Sequence, residues 1–124
     1  MQITTLTVAV LAAASGAQAG CFSHGVLGRL GVGLYGSSAI ENVCTYLAGG
    51  LAPYSFRSTC IMDKFGIKWD WRVSNDGDKY KKIEVSQCTA DMEPVASGCP
   101  KGGDKDADGV NYKGDPNAST CISR

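Results

Sequence analysis

Six cysteines constrain this chain more than any other feature: Cys21, Cys44, Cys60, Cys88, Cys99 and Cys121. An even number in a short chain, with no C-x-x-C pair and no histidine cluster, points to three disulfides rather than to zinc. Such a framework needs an oxidising compartment, and the N-terminus has the signal for one. Residues 3–14 form an apolar run too short to span a bilayer, and Ala17-Gln18-Ala19 is an A-x-A cleavage site. Residues 1–19 therefore read as a signal peptide, and the protein as secreted, extracellular and soluble. Removing 19 of the 124 residues leaves 105, from Gly20 onward, enough for one small cysteine-rich domain. In a core of that size each bridge adds roughly 2–4 kcal/mol.

Six cysteines allow about fifteen pairings, and the sequence does not choose among them. The expected set is Cys21 with Cys60, Cys44 with Cys88, and Cys99 with Cys121. A continuous helix between Cys88 and Cys99 would hold those two roughly 16 Å apart, beyond disulfide reach.

Twelve basic and twelve acidic residues give a formal net charge of zero. That balance argues against a nucleic-acid or membrane-surface partner, both of which call for a basic excess. Lys79, Lys81 and Lys82 cluster, but Asp76, Asp78 and Glu84 flank them, which reads as a solvated edge. No membrane insertion is expected, and the chain reads as a monomer.

Along the chain, residues 21–27 suit a first strand. Gly31-Val-Gly33-Leu-Tyr-Gly36 matches G-x-G-x-x-G, yet Arg57 stands near where a dinucleotide site needs an acid, so a loop is expected. Ser38 and Glu41 form a capping box ahead of Ile40, Val43, Cys44 and Leu47, which predicts a helix ended by Gly49-Gly50. Strands are predicted over 55–62 and 67–74. In the second, Ile67, Trp69, Trp71 and Val73 alternate with polar residues, which places both tryptophans in the core. A turn over 75–78 leads to a short strand near 80–84. Val85, Cys88, Met92, Val95 and Cys99 predict a helix over 86–97, kinked or broken near Glu93 by Pro94. A last strand is expected over 110–113. The resulting β-α-β-β-α-β order is an α+β class: a small disulfide-stabilised α/β sandwich with an antiparallel sheet and two helices.

Catalytic readings find little support. His24 is the single histidine, and a hydrolase or secreted ribonuclease would have to be built on it, with Glu84 and Glu93 as the carboxylates on offer. The expectation is no enzyme and no cofactor. Calcium is the one metal with a pattern behind it. Asp104-Lys-Asp106-Ala-Asp108-Gly109 is D-x-D-x-D-G, and Asp115 falls at the twelfth loop position. The preceding Cys99-Pro-Lys-Gly-Gly cannot be an EF-hand helix, so a solvated acidic turn is the preferred reading beside a weak calcium site.

With cysteines and elements laid out, the chain resembles the secreted fungal glycan-binding Y3-like family. The features are Cys21-Phe22, a helix carrying Cys44, then Cys60 and the Trp69/Trp71 strand. Cys88 follows, three residues before Asp91-Met92-Glu93 read as a turn, then Gly98-Cys99 with Gly102-Gly103, Asp115-Pro116-Asn117 and Cys121. The resemblance implies a lectin-like, non-catalytic module that binds a glycan or another host surface component. Sugar hydroxyls suit planar amides, carboxylates and an aromatic face, and Asn111, Tyr112, Asp115 and Asn117 are the candidate ligand residues. Asn117-Ala-Ser119 is also an N-glycosylation sequon. The alternatives are an effector or toxin acting through a protein partner, and a small hydrolase.

Overall fold

Strict alternation builds the centre of the molecule. A computed structural model describes residues 20–28, 38–63 and 65–121, and in it β4 (Lys68–Asn75) buries Trp69, Trp71, Val73 and Asn75 on one side. Lys68, Asp70, Arg72 and Ser74 occupy the other, half-exposed side. The expected signal peptide at 1–19, the glycine motif at 31–36 and the Ser38 side chain lie outside the described residues.

β7 (Val110–Asn117) runs antiparallel to β4, with Trp69 opposite Pro116, Trp71 opposite Gly114 and Val73 opposite Tyr112. The tryptophan rings stack with centroids 5.5 Å apart. A Cβ at Gly114 would collide with the Trp71 ring, so the glycine is what lets that ring lie across its neighbour strand. β3 (Phe56–Met62) completes one edge of the sheet. On the other side follow β6 (Gly103–Ala107) and β1 (Gly20–Cys21), in the order β1-β6-β7-β4-β3. A separate two-stranded sheet pairs β2 (Gly49–Leu51) with β5 (Lys81–Ile83).

Two helices cover the tryptophan side. α1 (Ser38–Leu47) buries Ile40, Val43, Cys44 and Leu47, and α2 (Val85–Gly98) buries Cys88, Met92, Val95 and Ala96, all in one apolar cluster with the strands. Among the described residues the α+β class and the two-helix, antiparallel design are as expected. No helix among the described residues is long and apolar enough to cross a membrane.

Several expectations are corrected. The first strand covers two residues rather than 21–27, because from Phe22 the backbone leaves the ladder and bonds the α2–β6 connection instead, Phe22 N–H to Gly102 C=O. β5 pairs with β2 in its own sheet, and β2 and β6 are additional strands. α2 runs unbroken through Pro94, and Asp91-Met92-Glu93 is helix, not turn. The missing N–H frees only the carbonyl of Ala90, an exposed residue that water can reach.

The disulfides join Cys21 with Cys99, Cys44 with Cys88, and Cys60 with Cys121. The expected bridge between the helices is correct. The expected pairs of Cys21 with Cys60 and Cys99 with Cys121 are not. β1 pairs with β6 at Gly103, which sets Cys21 beside the end of α2 and Cys99. The chain leaving β7 crosses β4 to reach β3, where Cys121 N–H meets Met62 Sδ at 3.3 Å.

Candidate functional site

The hairpin between β6 and β7 decides where the candidate residues go. Asp108 and Gly109 both have positive φ, 54° and 80°, the two-residue turn that Asp-Gly favours. The D-x-D-x-D-G run is therefore a strand and its turn. Asp104 and Asp106 stand on the outer side of β6, and Asn111 Nδ2 donates to both, at 3.1 Å and 2.8 Å. Asp115 lies opposite Asp70 on β4, away from the turn. Among the described residues no group of three or more His, Cys, Asp or Glu is placed to hold a metal ion. Asp104, Asp106, Asp108 and Asp115, the residues of the weaker calcium alternative, are spread along a strand, its turn and the next strand.

The same alternation divides the four expected ligand residues. Asn111, Asp115 and Asn117 face outward with Lys113, and the sequon residue Asn117 donates through Nδ2 to Asp70 Oδ2 at 2.7 Å and to the Asp115 carbonyl at 3.1 Å. Tyr112 faces inward, opposite Val73 and Lys105, and is 3% exposed. It cannot serve as an open stacking platform. The aromatic ring exposed on the outer sheet face is Phe56, which lies in register with Ser74 and has the Arg72 guanidinium 5.1 Å above its ring.

Tyr112 instead lines an edge pocket of about 280 Å³ where β5, the start of α2 and the β6–β7 hairpin meet. Ile83, Ala107 and Val110 supply its apolar wall. Lys81, Lys82, Glu84, Gln87 and Asp108 supply donors and acceptors. Lys81 Nζ is 3.6 Å from Asp108 Oδ2, and Lys82 Nζ is 3.7 Å from Glu84 Oε2, so each cation at the pocket has an anion beside it.

Behind the pocket a polar cluster crosses from sheet to helix. Asp91, 2% exposed, accepts from Gln87 Nε2 at 2.8 Å and from Lys105 Nζ at 2.9 Å. Burial, with the nearby Asp91 and Asp108 carboxylates adding to it, raises the Tyr112 hydroxyl to about 12. The phenol therefore stays protonated and a donor. No side-chain hydrogen bond engages it among the described residues. Lys81 and Lys82, expected at a solvated edge, line this pocket, and Gln87 and Asp91 are polar groups of the helix that its apolar repeat does not reveal. Extending the alternation of Val110 and Tyr112 on to Gly114 and Pro116 would have turned Tyr112 inward beforehand.

A second cavity of about 300 Å³ opens beside the bridge of Cys60 with Cys121, between Ala39, Ile61 and Met62. Among the described residues Asn42 is its one polar side chain, which suits an apolar group better than a polyol. His24 is exposed, with Ser23 Oγ and its Nδ1 hydrogen-bonded at 3.0 Å. Compared with known proteins, the chain matches no family model and no curated protein.

Proposed function

We propose that this protein is a secreted, non-catalytic glycan-binding module whose sugar site is the edge pocket at Tyr112. The observation that carries the reading is a small edge cavity of mixed polarity, in which Tyr112, lysines, carboxyl groups and an amide stand beside an apolar wall. A sugar ring presents alternating hydroxyl donors and acceptors around an apolar face. Gln87, Glu84 and the lysines answer the hydroxyls, while Ile83 and Val110 answer the ring. Matched charges at the mouth favour a neutral ligand over an ionic one. At about 280 Å³ the pocket falls just under the range that holds drug-sized ligands, which suits one ring. The resemblance to the Y3-like family and the six paired cysteines of a secreted chain support the same reading.

Glycan-array screening, followed by titration of the hits, tests it. Tyr112→Phe keeps the buried ring and removes only the hydroxyl, so affinity should fall roughly fivefold, the weight of one neutral hydrogen bond. His24→Ala should leave binding unchanged. An array blank at high protein concentration, with and without calcium, would reject the sugar reading in favour of a protein partner.

A further inference from the structure

We infer that the edge pocket is one half of a two-ring groove, divided by the ion pair of Lys81 with Asp108, and that the ligand is a neutral glycan of at least two sugar units. This rests on the sugar reading of the pocket. Beside it lies another cavity, of about 240 Å³, lined by Gly77, Asp78, Lys79 and Gly109. Both cavities share Lys81 and Asp108 as their common wall. Each alone is too small for more than one ring. They lie on either side of that ion pair, beside β5 and the hairpin turn.

The dividing wall is built to open on one side only. The Asp108 side chain is 93% exposed, that of Lys81 28%. The Lys81 stem lies against the turn, 3.5 Å from where a Cβ on Gly109 would stand, so its course is fixed by packing. Exposed ion pairs contribute little, so a ligand hydroxyl or amide carbonyl can take the place of Asp108 on the ammonium. Lys81 would then contact both rings at their junction.

The cavity at Gly77 and Lys79 is formed in advance. Buried Asn75 donates through Nδ2 to the Lys79 carbonyl at 2.7 Å, and its Oδ1 accepts from Gly77 N–H at 3.1 Å. A wall held this way loses little freedom on binding.

The test is titration of the isotope-labelled protein with N-acetylglucosamine, N,N′-diacetylchitobiose, galactose and lactose, followed by amide shifts. At least one disaccharide should bind ten times or more tighter than its monosaccharide, shifting Lys79, Lys81 and Gly109 signals that the monosaccharide leaves in place. Lys81→Ala should bring that disaccharide down to the monosaccharide level. Asp108→Asn keeps a residue tolerant of positive φ and removes the carboxylate that competes for Lys81, so it should raise disaccharide affinity, and a loss would contradict the exchange at Lys81. A monosaccharide that binds as tightly as its disaccharide, with the same shifts, overturns the two-ring groove and leaves the single-ring pocket standing. Silence from all four sugars together with a blank array overturns both.

Discussion

Tyr112 joins stability, pH response and recognition in one side chain. Its phenol sits at about 12 in the folded protein against about 10 when unfolded. The folded state therefore holds this proton more tightly, and the resulting stability is fully present below pH 10. It is lost as pH rises from about 10 to about 12, a fall of roughly 2–3 kcal/mol from this group. Tyr112→Phe should lack that step, so the difference in denaturant stability between the two proteins should change across that window. A difference that stays flat from pH 9 to 12 would contradict the burial argument. Tyr112→Ala should cost about 3–5 kcal/mol, as large-to-small changes in a core do, and cannot serve as a binding variant. Asn111, Tyr112, Asp115 and Asn117 look like one site when read as neighbours in sequence. On a strand, adjacent residues face opposite ways, and that geometry separates the phenol from the amides.

At the scale of elements, the connections depend on long side chains that periodicity does not reveal. Arg57 on β3 donates to the Leu47, Ala48 and Gly50 carbonyls at 2.7, 3.1 and 2.6 Å, closing the C-terminus of α1 with a planar fork. Arg57→Lys keeps the charge but loses the fork, and should cost about 1–2 kcal/mol in thermal or chemical unfolding. Asp91→Ala leaves Lys105 without its partner between helix and sheet and should cost about 3 kcal/mol. If the lysine simply extends into water, the loss will be well under that figure. α1, β4 and α2 were legible because each carries a repeat of 3.6 or 2 over several turns or pleats. β2, with Gly-Gly-Leu, and β6, with Gly-Asp-Lys-Asp-Ala, have no β-branched or aromatic residue. They are strands because β5 and β7 pair with them, a tertiary cause that local propensity cannot register.

The whole molecule is held by three bridges that close long stretches of chain, with sequence separations of 78, 44 and 61. The pairing was legible only where two helices had been read with their cysteines on buried faces. The other two depend on which strands become neighbours: Cys21 with Cys99 follows from β6, the strand the sequence hid, and Cys60 with Cys121 from β7 and β3 lying on either side of β4. Loop-closure entropy scales with the logarithm of length, so each bridge stabilises by about 4 kcal/mol and the three differ by only about half of 1 kcal/mol. Length therefore does not rank them, but access does. Cys44 and Cys88 are fully buried, with sulfurs 3.8 Å and 3.7 Å from Met92 Sδ in the core. Cys60 and Cys121 are both half-exposed, and Cys21 is exposed opposite a buried Cys99. Without reductant no cysteine should alkylate. Under graded reductant, Cys60 with Cys121 and Cys21 with Cys99 should open first, while the domain still unfolds cooperatively. Cys44 with Cys88 should resist until the core itself opens, so its alkylation should rise together with the loss of tryptophan burial. Peptide mapping of the alkylated protein, beside fluorescence on the same samples, measures both. Labelling of Cys44 while the tryptophans remain buried would mean that the two helices part without the sheet, and that the core is not the single unit its packing describes.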